Sequence, residues 1–356
     1  MREGEVRISG GCAVACIFHA DRERENGKRI VRMMEKMHNR SNGLGAGYVG
    51  YGIYPQYKDA YALHVMYEDK TAMDACEQYI KDRVALLHGE TIPTKETASI
   101  DKAPLLKRYF VMAVDQGDTD REKDLMVEVM FTINKQITGA YVFSCGKNMG
   151  VFKGVGYPED IAAFYQLEHY EADTWIAHGR YPTNTPGWWA GAHPFSMLDF
   201  ALVHNGEISS YETNRRYMEM HGYPCSLLTD TEVITYMLDF LMRKQKLSFQ
   251  ESVSIIAAPF WEEIEHMDIQ RKMYYTMLRR NFSSLLINGP FSIILGSEKG
   301  IMACNDRLKL RSLLVGKQGT THYLASEECA IQAVTRGLDD LFSLDGGVGF
   351  EANYEE

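Results

Sequence analysis

Cys12 to Phe18 is a short apolar run that predicts a buried strand, and Ile30, Met33, Met34 and Met37 follow it at helical spacing. Strand then helix is the expected opening. Glycines crowd residues 41–47, ahead of a second strand over Tyr48 to Tyr54. Residues 59–144 read as an α/β stretch. Tyr61, Leu63 and Val65 alternate as in a strand, Ala72, Cys76, Tyr79 and Ile80 share a helical face, and residues 89–104 form a loop. A strand over Tyr109 to Val114, a helix from about Asp120 to Ile137 and a strand over Gly139 to Cys145 complete that stretch. Further on, Thr174 to Ala177 is strand-like, and Asn205-Gly206 stands between two apolar runs, the pattern of a type I′ hairpin turn. Asp230-Thr231-Glu232 opens a helix whose apolar face is Val233, Ile234, Met237, Leu238 and Leu241, with Thr229 or Asp230 as its cap. The last third holds closely spaced strands at Ser283 to Ile287, Phe291 to Leu295, Gly300 to Cys304, Ser312 to Gly316 and His322 to Ala325, which predict a meandering antiparallel sheet. Beyond about Leu341 the chain turns glycine-rich and acidic, as in a surface tail.

With 356 residues, 45% of them apolar and 24% charged, the chain has the composition of a soluble globular protein with one large core or two domains. A net charge of −10 argues against a nucleic-acid partner, which demands a concentrated basic surface. Seven cysteines scattered from Cys12 to Cys329 do not form a disulfide framework and suit a reducing cytoplasm. Cys12, Cys16 and His19 could be metal ligands, yet no second ligand pair stands at zinc-site spacing, so no metal is expected. The cysteines are not clustered as iron–sulfur ligands either, and no flavin or nucleotide signature appears, so no cofactor is expected. The glycines of 41–47 lack the lysine and Ser/Thr that close a phosphate loop, and closely approaching backbones explain them better. Residues 1–11 carry Arg2, Glu3, Glu5 and Arg7 without an apolar core, so they read as a propeptide or disordered leader, not a signal or a membrane span.

Cys12 carries the candidate chemistry. Removal of the leader would give one residue a thiol nucleophile and a free amine to activate it. An α-amine titrates near ~7.7–8.0 and a cysteine thiol near ~8.5, both close to working pH. The alternative is an ordinary buried cysteine on a first strand. His178 is a second candidate base, although a terminal amine makes it unnecessary and a structural role suits it better.

Eight segments in order carry a resemblance. They are Cys12-Ala13-Val14-Ala15-Cys16-Ile17, the loop Arg40 to Gly47, His178-Gly179-Arg180-Tyr181-Pro182-Thr183, His193-Pro194-Phe195, His204-Asn205-Gly206-Glu207-Ile208, Asp230-Thr231-Glu232, and the late Asp306-Arg307 and Leu324 to Glu327 segments. Together they resemble the class II glutamine amidotransferases, the N-terminal-nucleophile glutaminase domains of glutamate synthase, glutamine phosphoribosylpyrophosphate amidotransferase, asparagine synthetase and glucosamine-6-phosphate synthase. The region from Gly146 to Pro158, and the absence of any synthase part, look most like the free-standing amidotransferase subunit of archaeal-type glutamate synthase. The chain departs from the family's frequent glycines at Ala13 and Cys16.

The resemblance implies an α+β fold, a four-layer αββα sandwich with an inserted α/β segment at about 59–144, a leader over 1–11, a catalytic domain over 12–345 and an acidic tail over 346–356. It implies Cys12 as nucleophile, the Asn205 side chain and Gly206 N–H as oxyanion hole, and Arg180, Thr183 and Asp230 as the residues that hold L-glutamine. It further implies a separate ammonia-accepting partner, an FMN-dependent glutamate synthase subunit or another synthase. A non-catalytic scaffold or glutamine sensor that keeps its leader is the alternative, and an amide substrate other than glutamine is a third reading.

Overall fold

The computed structural model describes residues 11–100, 102–114, 118–181 and 187–355. Two antiparallel sheets form its centre. The larger has seven strands in the spatial order Asp340–Ser343, Leu314–Gln318, Thr321–Ala325, Ala13–His19, Thr174–Gly179, Ala46–Tyr51 and Met149–Gly154. The strand Ala13–His19 is wholly buried and lies in the middle, paired through Ala13 with Gly179 on one side and through Ala15 with Ala325 on the other. The smaller sheet has five strands in the order Phe195–Met197, Phe200–Gly206, Phe291–Ser297, Gly300–Asn305 and Gly349–Asn353.

The two sheets stack face to face, with Ala13–His19 and Thr174–Gly179 lying against Phe200–Gly206. They approach closely: a Cβ on Gly296 of the smaller sheet would stand 2.5 Å from the Tyr51 ring and 2.7 Å from Ile176 Cδ1 of the larger. The helices Lys28–Lys36 and Pro158–Phe164 cover the outer face of the larger sheet, and Asp230–Asp239 covers the smaller, with Tyr211–Met220 packed on it. The fold is therefore α+β, in four layers of the αββα type. Apart from these layers, residues 61–147 build a four-stranded antiparallel sheet in the order Ala85–Thr91, Leu105–Met112, Tyr61–Tyr67, Ala140–Lys147, packed with the helices Lys70–Arg83 and Thr119–Gln136.

Four expectations are corrected. Ser283 to Ile287 is not a strand. Its start is the short 3₁₀ turn Ser283–Leu285, and Leu285 and Ile287 are buried from that turn and the irregular backbone after it, a pattern that a short apolar run shares with a strand. The late strands do not meander through one sheet, because the chain crosses from the smaller sheet to the larger between residues 305 and 314. The expected loop from 89 overlaps the strand Ala85–Thr91, whose mostly exposed edge position leaves little apolar signal. The surface tail expected over 346–356 instead supplies Gly349–Asn353, an edge strand paired with Gly300–Asn305, whose apolar pattern is only two residues long: Phe350 and Ala352 pack on the core while Glu351 and Asn353 are exposed.

Candidate active site

Cys12 immediately precedes the central strand and is half-buried. Because Ala13 pairs with Gly179, the residues that continue the neighbouring strand, Arg180 and Tyr181, run beside the thiol. The Tyr181 N–H donates to Cys12 Sγ over 3.3 Å. Burial pushes the Cys12 thiol up from its ordinary value. That N–H and the positive charges of Arg180 and Arg311 oppose the rise, whereas Asp230 adds to it.

The backbone of Arg180 is fixed by the glycine-rich loop. Its N–H donates to Gly45 O over 2.8 Å, and its carbonyl accepts from the Asn42 N–H and from Ser41 Oγ, each at 3.2 Å. Gly45 has φ +148°, and a Cβ there would lie 3.2 Å from Arg180 Cδ and 3.4 Å from Ala192 Cβ. This is the close backbone approach read from the sequence. Arg180 is buried, and desolvation lowers its pKa while Cys12 and Asp230 oppose that. Beside it, Lys153 is buried and donates its Nζ–H to Ala190 O over 2.9 Å. Burial drives the Lys153 ammonium down to about 7 and its neighbouring carboxyl, Glu232, up to about 7.

Asn205 and Gly206 are the last residues of the strand Phe200–Gly206, facing Ser292 and Phe291. The type I′ hairpin reading is thus overturned. The strand does not fold back on itself but pairs with a strand some 85 positions on, and the chain leaves Gly206 toward the helix Tyr211–Met220. Asn205 is buried, and neither its Oδ1 nor its Nδ2 has a hydrogen-bond partner among the described residues. A buried amide left unpaired costs about 1–3 kcal/mol, so a group that completes it is favoured there. Its Oδ1 stands 2.6 Å from where a Cβ on Gly11 would be, which sets Asn205 against the Gly11–Cys12 bond.

Asp230 is the first residue of the helix Asp230–Asp239, whose cap is Thr229: its Oγ1 accepts the Glu232 N–H over 3.2 Å. Asp230 Oδ1 accepts from the Thr231 hydroxyl over 3.3 Å and lies 3.6 Å from His204 Nδ1. Burial acts to raise the Asp230 carboxyl. His204 and the N–H groups of Thr231 and Ile208 outweigh it and hold the carboxyl below its ordinary value, as an anion.

His178 Nε2–H donates to the His204 carbonyl over 2.9 Å, so that nitrogen carries the proton. Burial drives the ring's pKa down to about 3. His178 is therefore a neutral tie between the two sheets, not a free base. Cys12 and His19 sit at opposite ends of the central strand, roughly 20 Å apart at 3.3 Å per residue, so with Cys16 they cannot hold one ion. Thr183 lies outside the described residues.

Two residues at the site had no role in the sequence reading. Arg40 Nη1 donates to the Gly11 carbonyl over 3.4 Å and its Nε–H pairs with Glu327. Arg311 Nη1 stands 2.8 Å from the Cβ position of Gly11. Arg40 had a signal in its own loop, whereas Arg311 sits in Leu308-Lys309-Leu310-Arg311, which reads as a plain surface stretch.

The sequence pattern of the family described as glutamine amidotransferases class-II matches residues 50–336. The chain belongs to the class II glutamine amidotransferases. An uncharacterized protein of Archaeoglobus fulgidus is 46% identical to this amidotransferase over 341 residues, 94% of this chain and 90% of that protein. A provisionally named glutamine amidotransferase of Methanothermobacter thermautotrophicus is 23% identical over 329 residues, 91% of this chain and 93% of that one. Among solved structures, the glutamine phosphoribosylpyrophosphate amidotransferase of B. subtilis, complexed with ADP and GMP, aligns with a TM-score of 0.47 and 14% identity. That alignment covers 97% of this chain and 49% of that one, so the amidotransferase spans about half the solved chain's length. Among the described residues no helix is long and apolar enough to cross a membrane.

Proposed function

We propose that the protein is a glutaminase subunit that hydrolyses L-glutamine to glutamate and ammonia, with Cys12 as nucleophile once the Gly11–Cys12 bond is cut. The observation that carries this reading is the unpaired, buried Asn205 amide set against the bond next to Cys12, whose sulfur already accepts the Tyr181 N–H. The freed α-amine takes the thiol proton as Sγ attacks the side-chain amide carbon. Asn205 Nδ2–H and the Gly206 N–H donate to the oxyanion, a contribution of about 3–4 kcal/mol for such a donor. The amine returns the proton to the leaving nitrogen, the C–N bond breaks, and ammonia departs. Water then attacks the γ-glutamyl thioester with the amine again as base, the C–S bond breaks, and glutamate leaves a restored thiol.

Arg180 offers a planar fork for the α-carboxylate of glutamine, and Asp230, held ionised, an anion for its α-ammonium. We also assign Thr183, two residues beyond Tyr181 in the sequence, to glutamine recognition. This cycle uses no cofactor. The ammonia is passed to a separate synthase chain, which we assign as an FMN-dependent glutamate synthase subunit, and that chain should raise glutaminase turnover when added.

The contact of Gly11 with Asn205 and Arg311, and the hold of Arg40 on its carbonyl, favour a second reading. In it the leader stays in place and the chain senses or scaffolds without catalysis. Intact-mass measurement of the purified protein, with a glutaminase assay, separates the two. Loss of residues 1–11 together with hydrolysis that falls at least about 10³-fold in Cys12→Ala supports the enzyme. A retained leader, with glutamine bound but not hydrolysed, supports the sensor.

A further inference from the structure

The charged groups that face Cys12 come from four elements. Arg180 continues the strand Thr174–Gly179, Asp230 opens the helix Asp230–Asp239, Arg40 follows the helix Lys28–Lys36 and Arg311 lies on the 306–313 segment. Three of them have evident tasks. Arg180 and Asp230 match the two charges of an amino acid, and Arg40 holds the Gly11 carbonyl while paired with Glu327. Arg311 is left. None of the ion pairs among the described residues involves it, and its Nε is buried without a hydrogen-bond partner among those residues. It also lies on a particular side of Cys12. The Tyr181 N–H marks the sulfur side, whereas Arg311 abuts Gly11, on the nitrogen side. Covalent geometry then puts its guanidinium within roughly 7 Å of the Cys12 nitrogen.

We propose that Arg311 keeps the α-amine of mature Cys12 in its neutral, proton-accepting form. This rests on the glutaminase reading above. Arg311 acts through Cys12 and is a positioning residue in the electrostatic sense, since it sets which charge state the base occupies. A cation this close to an amine opposes protonation of that amine, and charges within about 4–6 Å move titrations by about one unit or more. An ordinary α-amine near ~7.8 is only about 15% neutral at pH 7, and a drop of one unit brings that to about 60%, a fourfold gain in competent enzyme. The gain matters because burial has made the thiol reluctant to part with its proton, so a base that is free to take it limits attack. Asp230 and Glu327 pull the other way, but Asp230 is engaged by His204 and Thr231, and Glu327 by Arg40.

The test is the pH profile of kcat/KM for glutamine in the full-length protein, its mature N-terminus checked by intact mass, compared with Arg311→Met and Arg311→Lys. Removing the cation raises the amine's pKa, so the acid limb of Arg311→Met should move up by about one pH unit while the high-pH plateau stays within about threefold. Arg311→Lys should return the limb toward wild type. A limb that stays put, or a profile merely scaled down at every pH, overturns the proposal. If Arg311→Met keeps its leader, both proteins are made from a start methionine placed directly before Cys12, which the host removes. A readout independent of activity is the rate at which cyanate carbamylates the terminal amine, followed by mass. Its midpoint should lie below the ordinary α-amine value in wild type and rise in Arg311→Met, and equal midpoints overturn the proposal. A wild-type protein that hydrolyses no glutamine but shows the shifted midpoint sinks the glutaminase reading and leaves the amine assignment standing.

Discussion

Among the described residues, Asn205 is the one whose environment departs most from the ordinary rule that buried polar groups are paired. An unpaired amide at the end of a strand, against the bond next to the proposed nucleophile, suits a donor whose partner arises only during reaction. Asn205→Ala should therefore lower kcat by about 10²–10³-fold with little change in KM, because the interaction it removes exists in the transition state and not in the bound substrate. Steady-state kinetics on glutamine decide this, and a mainly KM-type loss would refute the assignment. At this scale the sequence was legible wherever a residue type and its near neighbours define a task. Cys12, Arg180, Asn205 and Asp230 all fall around one bond or one thiol. Arg311 was not legible, since its relevance comes from a partner 300 positions away and its own neighbours look like surface.

At the scale of elements, the helix Asp230–Asp239 connects local propensity to the site. Its cap, Thr229, satisfies the Glu232 N–H, and its first residue is Asp230. Loss of the cap costs about 1 kcal/mol, and in this case it also loosens the turn that carries Asp230, the anion proposed for the substrate's ammonium. Thr229→Ala should lower the thermal midpoint by about 2 °C and raise KM for glutamine severalfold more than it lowers kcat. Thermal unfolding and kinetics on the same preparation check it, and Thr229→Ser should restore both. The helix and its cap were readable because Thr-Asp-Thr-Glu ahead of an apolar stripe carries the signal locally. The hairpin at Asn205-Gly206 was misread for the complementary reason. Asn-Gly is a turn signal only when the two flanking runs pair with each other, and here the partner is Phe291–Ser297.

For the whole molecule, the site belongs to neither sheet alone. Cys12 and Arg180 come from the larger, Asn205 and Gly206 from the smaller, and Arg311 from the crossing between them. The number of strands could be approximated from the sequence, but not their distribution between sheets. Patterning reports which faces are buried, not which sheet buries them, and edge strands such as Gly349–Asn353 carry a pattern only two apolar residues long. The central strand makes the order of synthesis matter. Its partners are Thr174–Gly179 and Thr321–Ala325, and Val14 is tied to Ser326 by a hydrogen bond spanning 312 positions. Pairing across such separations is slow and cannot begin until both ends exist. On the processing proposal, chains halted before residue 311 should keep residues 1–11 and completed chains should lose them with time, and mass analysis of pulse-labelled nascent chains would show the difference. The thiol is thus made some 300 positions ahead of Arg311 and the Thr321–Ala325 strand that surround it. On the glutaminase proposal, a half-made chain would lack the groups around its thiol and would spend none of the cell's nitrogen.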